Sequence, residues 1–101
     1  MDKWADYGIS AVQYDIEKTR INKVKVHEDE GDTIGVAAIW LRSDVISSLE
    51  NNETFVTIIK GSDGKWKKGE DVRIVKINNI NYIRTDRNQK SSDNLGNLPE
   101  V

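Results

Sequence analysis

Apolar side chains in this chain recur mostly at every second position, in short runs broken by Gly, Asn and Asp. That period builds strands and excludes a helical bundle. The first run covers residues 8–15, where Ile9 and Ala11 alternate with Val12 and Tyr14. A turn at 16–19 leads to a second run, 20–27, with Asn22, Val24 and Val26 on one face and Lys23 and Lys25 on the other. Such alternation describes an antiparallel sheet with one face in water. The third run, 33–40, places Ile34, Val36, Ala38 and Trp40 in one row and the apolar pair Ala37 and Ile39 in the other. It therefore reads as a central strand.

The period changes once. Between Ser43 and Asn51 or Asn52, the side chains of Val45, Ile46 and Leu49 form a helical stripe, with Asp44 at the positive end. Two turns of helix are marginal alone, so packing on the sheet has to hold them. After it, residues 55–60 are rich in β-branched types, and Gly61-Ser62-Asp63-Gly64 reads as a tight turn. Lys65 and Trp66 form a short return leg, and Lys67-Lys68-Gly69-Glu70 turns the chain into a strand at 71–77. Asn78-Asn79 is a two-residue hairpin turn, because Asn tolerates positive φ, and residues 80–85 are the last strand. The predicted fold is α+β and mostly antiparallel, in the order β-β-β-α-β-β-β with sequential pairing. Short strands around one short helix suggest a small, partly closed barrel or a strongly bent sheet.

A chain of 101 residues supports one core. Residues 1–86 read as a single compact domain and 87–101 as a tail. Residues 87–92 are polar loop, whereas Leu95 and Leu98 are pegs that dock the tail, stiffened by Pro99. There is no cysteine, which removes disulfides, thiolate metal sites and cysteine nucleophiles. With no signal-like start, and no apolar run long enough to span a bilayer, the expected place is the cytoplasm, without membrane contact. Net charge is −2, which argues against generic binding to nucleic acid. Acids dominate up to Glu53, especially around His27-Glu28-Asp29-Glu30-Gly31-Asp32, and bases are in excess from Phe55 onward.

Several stretches resemble the small prokaryotic family catalogued as domain of unknown function 3892. They are Ile9-Ser10-Ala11-Val12-Gln13-Tyr14, Arg42-Ser43-Asp44-Val45-Ile46 and Phe55-Val56-Thr57-Ile58. The most specific is the run Tyr82-Ile83-Arg84-Thr85-Asp86 followed by Asp93-Asn94-Leu95-Gly96-Asn97-Leu98-Pro99. Members of that family carry Thr or Ser before the helix and an acid three residues later, a capping box. Here Leu41 stands at the first position, so one of the two reciprocal bonds is lost while Asp44 remains. The resemblance implies one recurring domain and no reaction, ligand or partner.

Residues that carry chemistry are few. His27 is the only histidine, and the acids after it lack the register of a calcium loop or a zinc motif, so the segment reads as a solvated acidic turn. A triad on His27 with Ser10 or Ser43 lacks sequence context, and Asp71 with Asp86 is a carboxylate pair with no visible pocket. The glycines have no phosphate-loop spacing. Catalytic, metal-binding and cofactor-binding residues are accordingly expected to be absent. The binding candidates are Lys60, Lys65, Trp66, Lys67 and Lys68 on one hairpin, where lysines meet phosphate and Trp66 offers a stacking face. Arg84 clamps the tail through Asp86, Asp93 or a carbonyl, or else forms an anion pocket with Lys76. Trp4 and Tyr7 cover an edge or serve a homodimer. The leading functional reading is a non-catalytic binding or protein-interaction module. The alternative is single-stranded nucleic-acid or nucleotide binding through the Trp66 hairpin.

Overall fold

The computed structural model describes residues 4–17, 20–31, 33–85, 92–96 and 98–100. The polar stretch 87–91, the clamp partner Asp86 and the acidic-turn residue Asp32 lie outside them. Among the described residues seven strands and one helix follow in order: β1 (Tyr7–Tyr14), β2 (Ile21–Glu28), β3 (Ala38–Leu41), α1 (Arg42–Glu50), β4 (Phe55–Lys60), β5 (Trp66–Asp71), β6 (Arg73–Ile77) and β7 (Ile80–Arg84). The fold is α+β with a mostly antiparallel sheet and one helix.

The pairing differs from the sequential pattern predicted. Five strands form one sheet in the order β3-β2-β1-β4-β5, and β6 pairs only with β7. The sheet is neither a closed barrel nor strongly curled. Its ladder ends at β3 on one side and β5 on the other, and the β6–β7 hairpin bridges neither edge. The chain leaves the sheet at Val72, whose N–H still reaches the carbonyl of Phe55 at 2.9 Å before the hairpin begins. β1 pairs with β4 in parallel, Tyr7 to Phe55 through Ile9 to Thr57. Since β2 is antiparallel to both β1 and β3, the strands flanking α1 run the same way. The helix is thus a crossover that carries the chain over two strands, not a hinge between neighbours.

Burial explains which strand is central. Ile9, Ala11 and Val12 of β1 are all buried, and β1 has partners on both sides. The run 33–40, read as central from its two apolar rows, supplies only the four-residue edge strand β3. Before it lie one isolated bridge from Ile34 to Asp29 and an open Val36 that is 94% exposed. Only Ile34 and Trp40 of the two apolar rows pack on the core clusters, and residues 36–39 between them are exposed, so this is not a sandwiched strand.

A second correction concerns glycine. Lys67-Lys68-Gly69-Glu70 is not a turn but most of β5. A Cβ on Gly69 would fall 2.2 Å from Thr57 Oγ1 and 2.9 Å from the Thr57 carbonyl oxygen. The ladder between β4 and β5 shifts register at this point, and Thr57 Oγ1 accepts the Glu70 N–H at 2.9 Å. Glycine is required by close approach at a bulge. Asn78 and Asn79 do form the hairpin turn, with φ of 51° and 65°.

The main core lies between one face of the sheet and a cover made of α1, the hairpin and the C-terminal segment. Ile9, Val12, Val24, Val26 and Phe55 meet Val45, Val72, Ile83 and Leu95 there. Ile46 and Leu49 complete the helical stripe against the same cluster, and Leu98 packs beside them. At the helix start the Asp44 carboxylate accepts the Leu41 N–H at 3.1 Å. Leucine has no side-chain acceptor to return the bond, so half of a capping box is made.

Asp93 ties this cover to the sheet. Its side chain is fully buried, and it takes the Arg42 guanidinium through Nε at 2.7 Å and a second nitrogen at 3.2 Å. The same carboxylate accepts the Ile21 and Ile83 backbone N–H groups, each at 2.8 Å. Arg42 also donates to the Asn81 carbonyl. One carboxylate therefore joins β2, α1, β7 and the tail. Asp93→Ala leaves the half-buried Arg42 guanidinium and two backbone N–H groups without their acceptor and is expected to cost about 3 kcal/mol in urea unfolding. Combining it with Arg42→Met should cost less than the sum of the single changes, since both remove one interaction. Gly69→Ala should cost about 1–3 kcal/mol by the same measurement, because Thr57 cannot retreat without breaking its bond to Glu70.

Candidate binding cleft

The second face of the sheet carries a smaller cluster in which Ala5, Val56 and Ile58 are buried, with Ile34 and Trp66 packed on them. Beside it a cleft of about 280 Å³ opens, walled by Trp4, Ile34 and Trp66, with Thr33 and Gly64 at its rim, Lys65 at its mouth and Asp29 at its base. Three distant segments meet there: the approach to β1, the β2–β3 connection and the β4–β5 turn.

Asp29 arranges the first two. Although it belongs to the acidic stretch, it is buried, and its carboxylate accepts N–H groups from Trp4 at 2.8 Å, Ala5 at 3.4 Å and Gly31 at 2.9 Å. Gly31 has a φ of 84°, which allows the turn to fold back onto that carboxylate. Trp4 is thereby held over the cleft by backbone hydrogen bonds.

Trp66 is placed by the sheet. It pairs with Lys60 across the ladder, and the Lys60 ammonium stands 5.3 Å from its ring centre. On the inner side the ring meets His27 at 5.2 Å, tilted by 59°. His27 is itself bound at both nitrogens, with Ser10 Oγ 2.8 Å from Nε2 and the Gly35 carbonyl 2.8 Å from Nδ1. A carbonyl only accepts, so Nδ1 carries the proton and Nε2 accepts the Ser10 hydroxyl proton. Ser10 lies two residues from Gly8, which pairs with His27 across the ladder, so alternation puts it on the same face, beside the register shift between Ile9 and Ala11. The pair resembles a nucleophile and base, yet Ser10 and His27 do not line the cleft, and a carbonyl stands where a triad has its carboxylate.

The residues singled out from sequence divide. Lys65 and Trp66 come together at the cleft, Lys60 stands over the Trp66 ring without lining the cleft, and Lys68, opposite Ile58, shares the face of Lys60 and Trp66. Lys67 lies opposite the exposed Ile59 on the other face, and its ammonium is 3.5 Å from Asp63. Arg84 is 1% exposed and donates to the Ser92 carbonyl at 2.7 Å and the Ser92 hydroxyl at 3.2 Å. That is a clamp on the tail, made through a carbonyl, while Asp93 goes to Arg42. Lys76 is opposite Asn81 and Arg84 opposite Arg73, so alternation sends Lys76 and Arg84 to opposite faces of the hairpin. The anion pocket imagined between them does not exist. Among the described residues no three His, Cys, Asp or Glu side chains group as a metal site would need. Trp4 was read from sequence as an edge cover or a dimer contact rather than a cleft wall, and the roles of Thr33, Ile34 and Asp29 were not legible; a lone acid in an acidic run carries no mark of being buried.

Next to the cleft, and sharing Asp29 with it, is an acidic hollow of about 210 Å³ lined by Asp6, Tyr7, Glu28, Glu30 and Glu53. Burial pushes the Tyr7 hydroxyl above its usual pKa of 10.0, and a hydrogen bond to Glu53 and the charges of Glu53, Glu28 and Asp6 push the same way. The neutral form is favoured in the folded chain, so above about pH 10 the unfolded state releases its proton first and stability falls as pH rises. Tyr7→Phe should flatten that decline in urea titrations between neutral and high pH. At pH 7 it should lose about 0.5–1.5 kcal/mol with the Glu53 bond.

The sequence profile of a family described as protein of unknown function (DUF3892) matches residues 8–99. No curated protein and no solved structure matches the chain. Among the described residues no helix is long and apolar enough to cross a membrane.

Proposed function

The chain belongs to the DUF3892 family of proteins of unknown function, and for this member we propose a non-catalytic binding role centred on the Trp4–Trp66 cleft. The observation that carries the reading is the meeting of two tryptophans, one just before the central strand β1 and one on the edge strand β5, around one concave, largely apolar space. Ligand sites combine apolar walls with a few fixed polar groups, and Lys65 at the mouth supplies a cation. The ligand class is a small, flat aromatic or heteroaromatic group bearing one anionic substituent, a mononucleotide among them. The absence of cysteine supports a cytoplasmic setting.

An extended single strand of nucleic acid suits the surface less well. The acidic hollow borders the cleft and repels a polyanion that runs past it. Of the hairpin lysines, Lys67 faces away and is paired with Asp63. A lone anionic group at Lys65 avoids that repulsion.

Isothermal calorimetry with AMP and with anilinonaphthalene sulfonate tests the reading. Saturable binding of at least one is expected, weakened about tenfold or more in Trp66→Ala, as a lost stacking contact of about 1–3 kcal/mol requires. A ten-nucleotide oligo-dT should bind no more tightly than AMP at low salt. Failure of both probes to bind, or equal binding by Trp4→Ala, Trp66→Ala and the parent, would overturn it.

A further inference from the structure

The two edges of the sheet are built differently. β5, with the sequence Trp66-Lys67-Lys68-Gly69-Glu70-Asp71, carries the charges and the bulge that keep a sheet edge from pairing with other chains. β3, with the sequence Ala38-Ile39-Trp40-Leu41, carries no charge and no proline, and no described strand pairs with its outer side, although the Leu41 N–H is already held by Asp44 at the helix cap. Ile39 and Leu41 are 52% and 57% exposed there.

A groove follows that open edge. A hollow of about 470 Å³ lies between Ile39, Trp40 and the helix residues Asp44, Ser47 and Ser48. It meets at Trp40 a second hollow of about 260 Å³, which extends past Ala38 to Val36 and Glu28. An unpaired strand beside a helix face is a slot for one extended chain.

Charge and size select the occupant. Lys25 and Lys23 of β2 stand directly opposite Ile39 and Leu41, on the same face. Among the described residues neither lysine has an ion-pair partner. An added strand would lie two strand spacings from β2, roughly 10 Å, a gap that a lysine and a glutamate side chain close together. A second copy of this chain fits poorly. The four-residue strip of β3 is about 13 Å long and covers little of the roughly 800 Å² per partner of a stable interface.

We propose that β3 is a strand-addition site for an extended acidic peptide of a partner protein. Its acids would all face Lys23 and Lys25, because Asp44 and Glu28 line the opposite side of the groove and repel acids there, and its apolar side chains would face Trp40 and the helix. This goes beyond the cleft reading and does not rest on it.

Fluorescence anisotropy with a labelled Glu-Val repeat peptide of about eight residues tests the proposal. Saturable binding is expected, at least about tenfold tighter than that of a Lys-Val repeat. The double variant Lys23→Glu with Lys25→Glu, both on the sheet surface, should reverse that preference, and its circular dichroism should match the parent's. Trp66→Ala should leave peptide binding unchanged, separating this site from the cleft. No saturable binding, equal binding of both repeats, or indifference to the charge reversal would overturn it. So would a dimer in sedimentation equilibrium that Ile39→Lys dissociates, since a second copy would then occupy the edge.

Discussion

A carboxylate without water must find donors, and around Asp93 that requirement organises half the molecule. The group is fully buried and receives a guanidinium and two backbone N–H groups from three different elements. Desolvating a charge is costly unless the geometry is satisfied completely. Arg42 must therefore begin the helix where it does, and β7 must present Ile83 beside Ile21. The tail must return after β7 to bring Asp93 there, and in doing so it brings Leu95 into the main core. Arg84, holding Ser92 one residue upstream, fixes the same return from the other side.

Local features of this arrangement were legible in the sequence. The bounds of β4, the Asn78-Asn79 turn, the stripe Val45, Ile46 and Leu49 and the half-made cap at Leu41 are all set by neighbours within a few positions. Pairing between distant segments was not. Period two says that residues 8–15 and 55–60 are strands, and it says nothing about whether they lie side by side or in which sense. Gly69 shows the same limit at one residue. Glycine marks a turn and a close backbone contact equally well, and only the position of Thr57 separates them. Arg42 and Asp93 are ordinary charged residues in sequence, more than fifty positions apart, with nothing local to mark their pairing.

The candidate site was half visible for the same reason. Trp66 and its lysines are contiguous enough to be noticed together. The other wall comes from Trp4 and the β2–β3 connection, which Asp29 folds inward by spending its carboxylate on backbone donors. The acidic stretch thus contains a carboxylate with an architectural task between Glu28 and Glu30, which face solvent. The sheet is correspondingly two-sided: one face is sealed by the helix, hairpin and tail, and the other keeps a small cluster and the cleft beside it.

The parallel contact between β1 and β4 also orders events during synthesis. The segment through β3 can form a meander as it emerges, but the far side of β1 stays bare until residues 55–57 arrive. Unsatisfied strand edges on an incomplete chain invite pairing with neighbours. Asp93 is made 36 residues after Thr57, roughly 2–7 s later at ordinary rates of chain elongation. For that interval Arg42 has no carboxylate to receive it, and the cover over the core lacks its fastening. A nascent chain of this design completes its sheet well before it can lock it.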